Sequence, residues 1–248
     1  MIGIIDLCCI DRKRKKDRGI TMARRKNMKR RRVILGNTFH LIRENGMDNV
    51  SLQMIAEKSG ISKSLLQSYY PHKAKLTNDI IRNLFNTLGQ QVNNYDMANS
   101  NAPYARTKAF IYTIAILGMH DEGLDRIISE AFVSNATLDN WGVMLNDWIN
   151  INHLFDDVDV DEDELETGIA FVTSGIGRLY HDRKKHHLSA EALADYATSA
   201  LMFSFLHCSS REIDQALKEG HEIIESADME VVHRAIDTMF DEGKEIFS

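Results

Sequence analysis

Apolar residues recur along most of this chain at spacings of three and four, the period of helices that bury one face. From Val33 to about Asn45 the stripe is Ile34, Phe39, Leu41 and Ile42, and Gly46 follows where a helix must stop. Two short stripes come next: Leu52, Ile55 and Ala56, then Leu65, Leu66 and Tyr69. A long one, Leu76, Ile80, Leu84 and Leu88, predicts a fourth helix from His72 to about Tyr95. After an Asn- and Ser-rich stretch, Pro103 opens a helix with Phe110, Ile111, Ile114 and Leu117, which breaks between Gly118 and Gly123. Further helices are predicted at Asp125–Asn135, at Asp139–Ile151, from Glu164 to about His181, from Ser189 through Phe205, and at about 210–225 and 228–247. No β-branched alternation interrupts this series, so the fold class is all-α. The grouping is an N-terminal three-helix unit followed by a larger helical domain.

The stretch Ser51–Lys73 carries the most specific local signals. Ser51 and Ser62 each stand where a hydroxyl can accept from the open amides of a helix start. Gly60 stands at the stop of the first short helix, and Ile61 plugs the corner. If Leu65, Leu66 and Tyr69 face inward, then Lys63, Ser64, Gln67 and Ser68 face outward. Short hydroxyls, an amide and one cation suit base edges and phosphates in a major groove. Two helices and a tight turn of this kind form a helix-turn-helix.

Charge changes the picture because it is segregated. The net charge of −6 conceals 12 Lys/Arg against 4 Asp/Glu in residues 22–80, and 12 against 29 in residues 81–248. A basic N-terminal module on an acidic body fits nucleic-acid binding confined to one end. Arg24, Arg25, Lys26, Lys29, Arg30, Arg31 and Arg32 precede the first helix and are expected to track phosphates, with a corresponding salt dependence. The three cysteines have no spacing suited to a disulfide framework or zinc site, which makes the cytoplasm the expected compartment. No apolar run is long enough to span a membrane, and no membrane partner is expected.

The run from about Arg32 to Leu76 resembles the DNA-binding domain of tetracycline-repressor-like (TetR family) regulators. The resemblance rests on Val33–Phe39, Gly46, Ser51, Ile55-Ala56, Ser59-Gly60-Ile61-Ser62, the aromatic pair Tyr69-Tyr70 and Lys73-Ala74-Lys75-Leu76. One departure is Gln67, at a place where many members carry tyrosine, so an operator sequence cannot be transferred. The resemblance implies a homodimer that binds a near-palindromic DNA operator as a repressor and is released by a small-molecule effector of unknown identity. It implies DNA contacts from Arg30, Ser51, Ser62, Lys63, Ser64, Gln67, Ser68, Tyr69 and Lys73, with phosphate contacts from Tyr69 and Lys73. It makes the helices near 164–181 and 189–205 a dimer bundle, with Ile169, Val172, Ile176, Tyr196, Ala197 and Ala200 at its interface. Effector-pocket candidates, taken for size and inward facing, are Phe110, Ile114, Trp141, Trp148, Phe171 and Met202. The corresponding domains are a basic arm at 1–27, the helix-turn-helix unit at 28–75 and an effector-binding and dimerisation domain at 76–248.

Residues 1–21 fit this scheme poorly, and the expected native start is Met22, which gives the short basic opening MARRKNMKRRR. A lipidated Cys8-Cys9 anchor, a nuclear signal and an extra phosphate-binding arm stay open as alternatives. The acidic stretch at 156–164 alternates Asp as a calcium loop does but lacks the glycine and glutamate such a loop needs, so it is read as solvated. His186-His187 and His207-Cys208 lack partners for a metal, and neither a metal nor a cofactor is expected. No glycine-rich phosphate loop or Gly-x-Ser-x-Gly elbow occurs, so no catalytic residue is assigned and the chain is read as a non-enzyme. Alternatives are a ligand-independent architectural DNA binder and, less favoured, an enzyme on a helical scaffold.

Overall fold

The computed structural model describes residues 28–95, 102–133, 135–155 and 161–241. The expected arm at 1–27, the Met22 start and most of the acidic stretch at 156–164 lie outside them. Among the described residues every regular element is a helix. In chain order these are α1 (28–45), α2 (Leu52–Lys58), α3 (Lys63–Tyr69), α4 (Lys73–Tyr95), α5 (Pro103–His120) and α6 (Glu122–Val133). They continue with α7 (Asn135–Ile151), α8 (Glu162–His181), α9 (Arg183–His186), α10 (Ala190–Ser204), α11 (Ser210–Glu225) and α12 (Met229–Thr238).

The predicted punctuation is where the helices start and stop. Gly46 and Gly60 have φ of +81° and +64°, the left-handed conformation that lets the chain turn out of α1 and α2 without a Cβ clash. The Ser51 and Ser62 hydroxyls accept from the amides of Met54 and Leu65, both at 3.2 Å. Ser189 caps α10 through Ala192 in the same way. Asp161 caps α8 by accepting from Asp163 and Glu164, so that helix begins two residues earlier than its apolar stripe requires. Ser209 and Glu212 form a reciprocal capping box at α11, a motif the sequence reading passed over.

Helices α1–α3 make the head. Ile34, Phe39, Ile42, Ile55, Leu66 and Tyr70 are buried together, and this core continues without a break into the body through α4. In the body, α5 is the central post: α4, α6, α10 and α11 all pack against it, with α7 and α8 closing the far side. Lys108 on α5 is fully buried yet satisfied. Its ammonium donates to the Leu217 carbonyl at 2.7 Å and lies 2.8 Å from Asp195, which fastens α5 to α10 and α11.

Three departures from the sequence pattern have physical causes. The basic residues Lys29–Arg32 lie within α1 rather than in an arm. Arg31 donates to the Tyr70 hydroxyl and pairs with Asp79 at 2.5 Å, and Arg32 donates to the Met239 carbonyl, so these two cations are spent holding α1 in place. The turn expected at Asp182–Leu188 contains α9, because Arg183 is drawn inward to the Tyr180 carbonyl and to Asp125. The final helix stops at Thr238 rather than near residue 247, and Phe240 turns back onto Phe39 with ring centroids 5.8 Å apart. A Cβ on Gly36 would approach Phe240 to 3.0 Å, so that glycine admits the ring.

Candidate nucleic-acid interface and effector cavity

The outward face of α3 is built as its spacing predicts. Leu66 is fully buried and Leu65 half-buried, which turns Lys63, Ser64, Gln67 and Ser68 to solvent. Lys63 and Gln67 make no hydrogen bond or ion pair among the described residues. Ser62 is occupied by its cap and lies 3.2 Å from the Ser64 hydroxyl, and Ser68 donates back to the Leu65 carbonyl. Ser51 is exposed at the head of α2, Tyr69 is half-buried beside α3, and Arg30 is exposed near the start of α1. Lys73 is half-buried, and its ammonium donates to the Met47 carbonyl, which ties α4 to the turn after α1. Two further protons of that ammonium remain for a phosphate. Burial pushes the Tyr70 hydroxyl well above its usual range despite the Arg31 guanidinium beside it, so it stays a neutral acceptor.

The body encloses a cavity of about 50 Å³ between α4, α5, α6, α7 and α8. Of the six pocket candidates, Phe110, Ile114 and Trp141 line it. The other three do not. Trp148 lies behind Phe110, stacked on it at 4.8 Å, and lines the groove between α4 and α7 instead. Met202 is buried in a separate cluster with Ile213 and Ala216. Phe171 is 62% exposed on the outside of α8, because it falls on the helix face opposite Val172 and Ile176.

The dimer candidates also divide. Ile169, Val172, Ile176 and Ala197 are buried within the protomer, and Val172 and Ile176 line the cavity. Gly177 packs against Phe132 for the same reason. Tyr196 is 54% exposed and Ala200 half-buried, on the same helix as the 66% exposed Phe203. The apolar stripe of α8 was legible, but it serves the chain's own core, and the outer face of the α8–α10 pair consists of residues outside that stripe. Phe85, Ile111, Ala115, Phe132, Leu145, Thr173 and Tyr180 complete the cavity wall. Ile111 falls in the apolar stripe of the helix that Pro103 opens, whereas Phe85 and Phe132 gave no signal beyond apolar character.

A polar junction joins head and body at the end of α1. Arg43, near the end of α1, binds Asp121 between α5 and α6 and Asp237 on α12, the latter at 2.5 Å. Arg126 on α6 donates to the Arg43 and Glu44 carbonyls, both at 2.8 Å, where the end of α1 leaves them unsatisfied. Burial alone would raise the Asp121 carboxyl, but the Arg43 guanidinium and the α6 amides hold it below its usual range. One turn along α6, Asp125 accepts from the Tyr180 hydroxyl at 2.9 Å and pairs with Arg183 at 2.6 Å. Helix α6 therefore touches the head through Arg126, just after Asp121, and reaches the cavity through Asp125 and Phe132. Among the described residues no cluster of three or more His, Cys, Asp or Glu is placed to hold a metal ion, and no helix is long and apolar enough to cross a membrane.

Comparison with known proteins places this geometry. Residues 34–80 match the family model described as bacterial regulatory proteins, tetR family. A nucleoid occlusion factor, SlmA, from Haemophilus ducreyi is 28% identical over 86 residues, which are 35% of this chain and 42% of that protein. The chain thus aligns with less than half the length of this curated relative. Among solved structures, a TetR transcriptional regulator from Rhodococcus sp. RHA1 superposes with a TM-score of 0.56 at 12% identity, covering 74% of this chain and all of the other. The ligand-free structure of RolR superposes with a TM-score of 0.58 at 12% identity, covering 77% of this chain and 95% of the other. Residues 34–80 thus match the family's model, and the all-helical body behind them shares the fold of these two solved structures.

Proposed function

We propose that the protein is a DNA-binding transcriptional regulator that acts as a homodimer, represses from a near-palindromic operator and is released from it by a small molecule held in the body. The observation that carries this reading is the α3 face, where Lys63 and Gln67 point into solvent from a helix capped at both ends by the chain itself. In this reading residues 28–75 are the DNA-binding unit and 76–248 the effector and dimerisation domain. Gln67 and Ser64 read base edges. Lys63, Arg30, Ser51, Ser62, Ser68, Tyr69 and Lys73 meet phosphates or position the helix on them. A second copy packs on the outer face of α8 and α10, where Phe171, Tyr196 and Phe203 would otherwise stay wet and where Gly175 leaves open space for close approach. The two α3 helices then enter successive major grooves about 34–36 Å apart. The setting is the cytoplasm, with the protein on the nucleoid when bound.

Release follows as a population shift. A ligand that widens the cavity favours whichever head spacing the widened body allows, and it weakens DNA binding only to the extent that it prefers that state. Capture of fragmented host DNA at near-physiological salt, followed by sequencing, tests the reading. A short palindrome upstream of one or a few genes is the expected result, and enrichment without any motif overturns it. The match to a nucleoid occlusion factor favours one second reading, a protein that binds many chromosomal sites without an effector. Numerous scattered sites, with affinity indifferent to filling the cavity, would establish that alternative.

A further inference from the structure

The cavity between α4 and α8 has a more definite chemistry than its position alone implies. Five rings form most of its wall, and no charged side chain lines it. Phe132 and Trp141 stack with centroids 4.9 Å apart at 21°, and Phe85 meets Phe110 at 4.6 Å and Trp141 edge-on at 5.6 Å. Such surfaces accept a further ring, stacked or edge-on, better than an aliphatic chain. Of the polar groups on the wall residues, the Tyr180 hydroxyl is already committed to Asp125, and the Thr173 hydroxyl sits on a half-buried residue. Trp141 is different. It is only 4% exposed, and its indole Nε1 has no hydrogen-bond partner. A buried donor without an acceptor costs free energy that a bound acceptor would return. An ionised ligand would lose its hydration with no counter-charge to meet it, a far larger penalty.

Size narrows the class further. A dry cavity that holds benzene is roughly 150 Å³, whereas this one is about 50 Å³. A ligand must therefore displace part of the wall, and each added ring or chain makes that displacement costlier. We infer that the cavity takes a single-ring, uncharged aromatic molecule whose hydrogen-bond acceptor receives the Trp141 indole N–H. This rests on the reading of the cavity as the effector site, and it adds the ligand's class and the group that selects it.

The full chain is suited to a direct test, because Trp141 and Trp148 are its only tryptophans and give two indole N–H resonances. Acetophenone, ethylbenzene and benzoate serve as probes, titrated without DNA by calorimetry and by nitrogen–proton correlation spectra. Acetophenone should bind about tenfold more tightly than ethylbenzene, the worth of one hydrogen bond. It should also shift downfield the indole signal that is missing in Trp141→Phe. Benzoate should not bind. In Trp141→Phe the gap between ketone and hydrocarbon should shrink to about twofold or less. Ala115→Phe, which fills the space, should abolish binding of both, with its melting curve checking that it folds. The inference is overturned if benzoate binds as well as acetophenone, if neither neutral probe binds, or if the shifted signal belongs to Trp148. Operator release is assayed separately. Binding as expected without release would sink the effector reading and leave the ligand class standing. Release of the Ala115→Phe protein by a charged compound would do the reverse.

Discussion

On α3, Lys63 and Gln67 point away from the core and make no hydrogen bond or ion pair among the described residues; around the cavity the side chains point at one another. Lys63 and Gln67 are exposed on a helix fixed by the Ser62 cap and the buried Leu66. Phe85, Phe110, Phe132 and Trp141 are packed ring on ring with only about 50 Å³ to spare. The first site can bind without rearranging, so its affinity is set by contacts. The second must open before it binds, so part of its interaction energy goes into displacing neighbours. In the function proposed above, such an arrangement holds the DNA-binding surface ready and leaves the mechanical work to the ligand.

The largest effect should come from removing the support behind the ready surface. Leu66→Ala takes a fully buried side chain from the head and should cost about 2–5 kcal/mol. Because the head core runs on into α4, and Phe240 and Arg43 bind it to the body, the loss should appear as one earlier transition for the whole chain. Far-UV circular dichroism and tryptophan fluorescence, which reports only the body, should therefore melt together. Separate transitions would break the picture of a head bolted to its body.

Next in size is the junction itself. Asp121→Asn removes the charge that Arg43 and the α6 amides hold in place and should cost about 1.5–3 kcal/mol near neutral pH, as for hydrogen bonds to charged groups. The sign of its pH dependence follows from a lowered folded-state pKa. The contribution is fully present above the unfolded value near 3.8 and is lost as pH falls through the lower folded value. Wild type should lose stability on acidification through that window more steeply than Asp121→Asn, measured by urea unfolding at a series of pH values. Parallel curves would mean that Asp121 does not titrate against the head.

A smaller change should sharpen the contrast between contact and support. Gln67→Ala should leave the melting temperature unaltered and cost about 1–3 kcal/mol at one preferred operator, with the preference at one base position relaxed. Lys63→Ala should instead weaken all sequences alike and flatten the salt slope by about one phosphate. Competition binding against a randomised site library separates the two, and an unaltered base preference in Gln67→Ala would remove that residue from the readout.

The difference between the two regions also explains what could be read from the sequence. The turns and caps of the head were legible: Gly46, Gly60, Ser51 and Ser62 act through neighbours three or four positions away, and such signals are written in order along the chain. Helices α4, α8, α10 and α11 were legible as stripes. What a stripe packs against was not. Val172 and Ile176 were assigned to a partner subunit and line the chain's own cavity, because period tells which residues turn inward together and not which element meets them. Phe171 was assigned inward and lies outside, one position from Val172 and on the other side of the helix. The Arg43, Asp121 and Asp237 junction joins residues up to 194 positions apart, and nothing local marks any of the three. Arg31 and Arg32 looked like free cations because their partners, Asp79 and the Met239 carbonyl, lie 48 and 207 positions away.

The smallest effect is the one that isolates the body from the head. Ser209→Ala opens the capping box of α11, where the hydroxyl accepts from the Glu212 amide and the Glu212 carboxylate accepts from Ser209. Loss of such a cap costs about 1 kcal/mol. Helix α11 packs against α5 and α10 and holds Lys108 through the Leu217 carbonyl, but it touches neither α3 nor the cavity wall. The variant should melt a few degrees lower while operator affinity and cavity binding, both measured well below the transition, stay as in wild type. If operator affinity falls along with the melting temperature, α11 takes part in setting the head, and the division between a ready surface and a body that must open would have to extend through α5 to the C-terminal helices.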